Sequence, residues 1–271
     1  MKSLRSSIDV VSVRAKQLAI PLEEGLCLHP EDSAVEASEK MLDRQYDFAP
    51  VLEEGSPIGL FAYNAFGDSS SVALVGEAME PLKSASIVSG EAQLGAIVNR
   101  LNSRSFLFVL EEDGIFGFLT LSDLGSVGVR AHFYSHLSHL ETLLGEYLRL
   151  KYPDQSKATS LLKAGRLESQ KAIVADLRAR DRFLDEISCV SLQDLIDICG
   201  KDPEFRAAVA RTGTGWNKVD RGFGEFRDVI MHSSRPLSTL GMTEPAMLLK
   251  MQRRIDALSE AVEKMLVASR A

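Results

Sequence analysis

The chain has 271 residues, 45% of them hydrophobic and 25% charged, which is the composition of a globular protein and a length that predicts two domains. No apolar run is long enough to span a bilayer, and residues 1–25 lack the basic, apolar and small-residue succession of a secretory signal, so a cytoplasmic protein with no membrane partner is predicted. The net charge of −7 argues against a nucleic-acid partner for the chain as a whole, but residues 1–128 hold 9 Lys and Arg against 19 Asp and Glu, and the remainder 22 against 19.

The acidity therefore belongs to the first half, and the weak positive excess of the second permits RNA contact at a local site without a broad electrostatic footprint. Three cysteines, Cys27, Cys189 and Cys199, are odd in number and show no Cys-x2-Cys spacing. They predict neither a disulfide framework nor a zinc ribbon and are read as small apolar side chains.

An internal repeat organises the first half. Val51–Phe61 and Val109–Leu119 align without a gap at a spacing of 58 residues. Each reads as an apolar strand, an acidic turn around glycine and a second apolar strand, which is a hairpin. Helical stretches precede them, over 33–42 in the first copy and 91–101 in the second, and Ser33-Ala34-Val35-Glu36 has the pattern of a capping box. Neither copy can bury a sheet face alone, so the two are expected to pack as one domain.

At these residues the chain resembles a pair of cystathionine-β-synthase (CBS) domains, the Bateman module. His29-Pro30-Glu31-Asp32-Ser33, Ala49-Pro50-Val51 and Ile58-Gly59 carry the likeness in copy one, and Gly117-Phe118-Leu119-Thr120-Leu121-Ser122-Asp123 is similar to the family's ligand-binding Gly-x-x-Thr-x-x-Asp in copy two. The resemblance implies binding of an adenine nucleotide, AMP, ADP or ATP, as a regulatory ligand between the repeats, with Asp123 on the ribose hydroxyls and Thr120 near the phosphate. A carboxylate can accept both ribose hydroxyl protons, and a threonine hydroxyl can donate to a phosphate oxygen. Copy one has Ala62 and Ala65 where Thr and Asp would stand, so at most one such site is expected. The competing readings are a local cap of the helix near Ser122 by Thr120 and Asp123, and a module that serves only as a dimerisation platform.

From about Val129 the hydrophobic period switches to 3.6. Phe133, Leu137, Leu140, Leu143, Leu144, Tyr147 and Leu148 form one stripe that ends near Tyr152-Pro153. Helices are predicted over 156–187, with a break near Gly165, from Ser191 to a stop at Gly200, and over 203–211, 216–232 and 245–267; nothing here reads as a strand.

Within this half, Phe226-Arg227-Asp228-Val229-Ile230-Met231-His232 sits at the end of the penultimate helix, ahead of Ser233-Ser234-Arg235-Pro236. With His139–Leu144 it resembles the HEPN superfamily and its Arg-x4-6-His motif. That resemblance implies metal-independent cleavage of RNA. His232 would exchange protons with the 2′-hydroxyl and the leaving 5′-oxygen, Arg227 would hold the scissile phosphate, and Asp228 would orient one of them. Five residues along an ideal helix turn through about 140°, so Arg227 and His232 do not share a face. They converge only if the helix ends near His232 or if two subunits pool their pairs. The bland alternative is an ion pair of Arg227 with Asp228 or Glu225, and a histidine placed at the negative end of a helix dipole.

His132, His136 and His139 fall on one helical face, a spacing that suits either a metal ion or a polar seam between domains or subunits, and the seam is the preferred reading. Gly213–Lys218 lacks the spacing of a phosphate-binding loop. Arg178–Arg182 reads as a solvated face, and Arg253-Arg254 with Arg235 as a candidate guide for RNA. The expected architecture is thus α+β: a tandem CBS pair over 1–128, with repeats about 20–70 and 76–128, then an all-α HEPN-like bundle over 129–271. The expected function is a homodimeric, adenine-nucleotide-sensing protein whose bundle is a candidate ribonuclease needing no metal. The alternative is a noncatalytic regulatory or dimerisation module that binds RNA or a protein partner.

Overall fold

The computed structural model describes residues 12–63, 74–180, 185–232 and 245–270. These form two compact units, one of residues 12–129 with the first residues of the last helix, the other of the remaining C-terminal residues.

The first unit opens with α1 (Ala15–Leu18) and the two-residue β1 (Ile20–Pro21). Copy one of the repeat follows as α2 (Ala34–Arg44), β2 (Phe48–Glu53) and β3 (Ser56–Ala62). Ser33 caps α2 as its spacing predicts, its hydroxyl accepting the Glu36 N–H at 3.5 Å. A second leader, α3 (Val75–Ala78) and β4 (Glu80–Pro81), introduces β5 (Ile87–Ser89), α4 (Leu94–Leu101), β6 (Phe106–Glu111) and β7 (Gly114–Thr120). α4 starts three residues later than the predicted 91. Its first turn is displaced because the Ala92 and Gly90 carbonyls accept N–H groups of Ala15 and Lys16.

Repeat symmetry governs the sheets. β2–β3 and β6–β7 are antiparallel hairpins, each with one register shift, at Val51/Leu52 and at Val109/Leu110, again 58 residues apart. Each leader is exchanged: β1 pairs with β7 of copy two and β4 with β3 of copy one, giving sheets ordered β1-β7-β6-β5 and β2-β3-β4. Glycine marks both crossings. A Cβ on Gly117 would lie 2.3 Å from the Ile20 carbonyl oxygen and one on Gly59 2.7 Å from that of Glu80, so no other residue lets the two backbones approach this closely. Met41, Val51 and Phe61 sit in the core of copy one, and Phe106, Phe108 and Phe118 in that of copy two.

The second unit is largely helical. A short 3-10 turn (Leu121–Gly125) leads into α5 (Val127–Lys151), whose predicted stripe from Phe133 to Leu148 is buried throughout. Phe133 meets Phe226 edge-to-face at 5.0 Å, a pair that contributes about 0.5–1.5 kcal/mol beyond its area burial. Then come α6 (Gln155–Thr159), α7 (Ala164–Arg178), α8 (Leu192–Cys199), α9 (Pro203–Ala210), α10 (Trp216–Val219), α11 (Phe223–Met231) and α12 (Pro245–Arg270).

Two predicted helices are corrected here. The span 156–187 does break just ahead of Gly165, between Thr159 and Ala164, with Asp154 capping the short first piece through the Ser156 N–H, but its second piece ends at Arg178, short of 187. The span 216–232 is two helices, divided where Gly222 adopts a φ of +83°. Gly200 does end α8, but in right-handed geometry; its missing side chain makes room for the Trp216 ring, which a Cβ would meet at 2.2 Å.

Candidate functional site

Thr120 is the last residue of β7 and Asp123 lies in the turn that follows. Asp123 Oδ2 accepts both the Thr120 backbone N–H at 2.6 Å and its hydroxyl at 3.0 Å, so the capping contact foreseen as the local alternative is present. Both residues also line a cleft of about 490 Å³ together with Ile20, Tyr46, Asp47 and Tyr63. The two readings are therefore compatible: the residue that holds the turn also borders the cleft. Burial raises the Asp123 carboxyl above its usual range, opposed by the Thr120 hydrogen bonds. Thr120 donates its hydroxyl proton to Asp123 rather than presenting it to a phosphate.

The repeat brings further residues to this wall. Asp47 and Ser105 stand 58 positions apart, each one residue ahead of its hairpin, and both line the cleft. Reading the offset of 58 outward from the hairpins would have found them. Ala62 lines the same cleft in place of a second threonine, while Ala65 lies outside the described residues.

The second candidate site is at the C-terminal end of α11. The helix stops at Met231, and His232 leaves helical geometry with φ −98° and ψ 90°, which meets one of the two conditions for Arg227 and His232 to approach each other. Arg227, Asp228 and His232 are all exposed. The imidazole Nε2 lies 3.5 Å from Asp228 Oδ1. One determinant is invisible in the sequence: the buried guanidinium of Arg130 donates from Nη1 to the carbonyls of Val229 at 2.5 Å and His232 at 3.3 Å. It closes the end of α11, where carbonyls lack helical partners.

The histidine trio lines a polar seam inside the bundle, between α5 and α12. Gln252 donates its amide to Asp256 Oδ1 at 2.8 Å, so its Oε1, 3.2 Å from His132 Nε2, accepts and the ring proton sits on Nε2. The His136 ring is tilted 45° to that of His132 with centroids 4.3 Å apart, and His139 Nε2 lies 3.6 Å from Glu263 Oε1. Burial drives His132 down to about 4 and lowers His136 as well. Among the described residues no group of three or more His, Cys, Asp or Glu is arranged to hold a metal ion.

Arg254 Nη1 donates to the Arg221 carbonyl at 2.7 Å and lies 3.7 Å from Met251 Sδ. Arg253 is exposed. Arg235 with its Ser233–Pro236 turn, and Asp181 and Arg182 of the basic run, lie outside the described residues. Cys199 is buried and its thiol is raised by burial, while Cys27 and Cys189 are half-buried; all three are free. No described helix is long and apolar enough to cross a membrane.

A CBS domain pattern matches residues 19–64, so the first unit carries a CBS fold ahead of a largely helical C-terminal region. No curated protein matches the chain. Solved structures similar to it include the CBS-pair protein CBSX2 from Arabidopsis thaliana, 18% identical over 45% of this chain and 95% of that one, with a TM-score of 0.38. CBSX2 in complex with AMP is 20% identical over 45% and 97%, TM-score 0.38. The CBS domain of the bacterial CNNM/CorC family Mg2+ transporter in complex with ATP is 16% identical over 48% and 94%, TM-score 0.38.

Proposed function

We propose that the protein is a homodimeric, adenine-nucleotide-sensing regulator whose ligand sits against Thr120 and Asp123. The observation that carries this reading is the cleft of about 490 Å³, a volume in the range of small-ligand sites. The Asp123 carboxylate on its wall suits the paired hydroxyls of a ribose, and Tyr46 and Tyr63 offer flat faces for a purine ring. Asp123→Asn retains an acceptor for the turn but removes the charge. Titration calorimetry with AMP is expected to show affinity falling about tenfold or more, the scale of one charged hydrogen bond, at unchanged melting temperature. Equal affinity would refute the site.

For the helical half the exposed Arg227, Asp228 and His232 at the end of α11 favour a second activity, that of an HEPN-like metal-independent ribonuclease. His232 serves as proton carrier, Asp228 orients its ring and Arg227 binds the phosphate. Ligand in the cleft regulates cleavage only if it binds one arrangement of the dimer better than another. Incubation with mixed RNA in EDTA decides between enzyme and noncatalytic regulator. The enzyme predicts cleavage that His232→Ala abolishes; absence of cleavage with every adenine nucleotide leaves a module that binds RNA or a protein partner.

A further inference from the structure

The described lining of the cleft contains two carboxylates, Asp47 and Asp123, and no lysine, arginine or histidine. Arg104, next to the lining residue Ser105, is turned to Ser86, donating to its hydroxyl oxygen at 3.3 Å. Residues 64–73, which lie outside the described part, contain by sequence no basic residue and one acid, Asp68. The hydroxyl proton of Thr120 is engaged by Asp123. A polyphosphate entering such a cleft meets two carboxylates and no described cation to balance its charge, only neutral donors such as the Ser105 and Ser122 hydroxyls. A ribose meets the acceptor it needs.

We infer that the cleft selects by charge, taking adenosine and AMP ahead of ADP and ATP, and that Asp47 is the residue that sets this order. The inference rests on the proposed adenine-ligand reading and narrows it. The repeat isolates Asp47 as the determinant. It occupies the position that Ser105 fills in copy two, on the same wall, so copy one, although it has Ala62 where Thr would stand, still contributes to the site by repelling anions. Asp47 is exposed and its side chain takes no part in the fold, where it serves through its carbonyl, which accepts the Tyr63 N–H at 2.9 Å. Its charge can therefore be removed without disturbing the hairpin. Two like charges a few ångströms apart near a surface repel enough to change affinity by roughly tenfold, and salt weakens the effect.

The test is calorimetric titration of the full chain with adenosine, AMP, ADP and ATP at low salt with EDTA present, repeated for Asp47→Asn and Asp47→Ser. Wild-type protein is expected to bind adenosine about tenfold or more tighter than ATP. Both variants should narrow that ratio by about fivefold while leaving adenosine affinity within about twofold, and added salt should narrow the wild-type ratio in the same direction. ATP binding as tightly as adenosine in the wild type, or a ratio that the variants leave untouched, overturns the inference and leaves the adenine-ligand reading standing. If none of the four binds, that reading itself falls.

Discussion

His132 stays neutral in the fold at pH values where it would take up a proton in the unfolded chain. Its folded value of about 4 against an ordinary 6.5 has a definite sign. Above pH 6.5 neither state holds the proton; as pH falls towards 4 the unfolded chain binds it and the folded protein does not, so stability is lost across that window. The size is about 3 kcal/mol. Asp256, which faces His132 across the seam and is itself raised by burial, acts in the opposite direction as the acid range is entered. Urea unfolding measured from pH 7.5 to 4.5 should show a steep decline in wild-type protein that His132→Gln flattens. Parallel profiles would show that the seam does not hold the histidine neutral.

At the scale of elements, the exchanged strands carry the sheet domain, and their glycines give the sharpest test. Gly117→Ala places a methyl group against the Ile20 carbonyl where no side chain can yield, and is expected to cost about 2–4 kcal/mol. Gly95→Ala, in the open on α4 with nothing within 4 Å, should stabilise by about 0.5–1 kcal/mol through helix propensity. Thermal unfolding of the two variants must move in opposite directions. The hairpins were legible because their period and their turn chemistry are local, and the α5 stripe because every third or fourth residue is apolar. The exchange of β1 and β4 was not, since two-residue strands have no period and their pairing is decided by contacts about 100 and 20 residues away. The helix break at Gly222 escaped for a related reason: one left-handed glycine overrode a continuous helical pattern.

Across the whole molecule, the residues of the candidate sites were readable and their partners were not. Thr120 and Asp123 stand in a spaced motif, whereas Asp47, on the opposite repeat, belongs to no motif and is reached in sequence only by carrying the 58-residue offset outward from the hairpins. Likewise Arg227 and His232 are visible in one stretch of sequence, but Arg130, which fastens the carbonyl of His232, is 102 residues away. The account depends on an adenine ligand lodging in the Thr120–Asp123 cleft. Photolabelling with 8-azido-AMP, followed by mass spectrometric mapping, tests this directly. The account predicts label on Tyr46, Tyr63 or their neighbours along the cleft, protected by excess AMP and lost in Asp123→Asn. Protected label confined to other surfaces would contradict it.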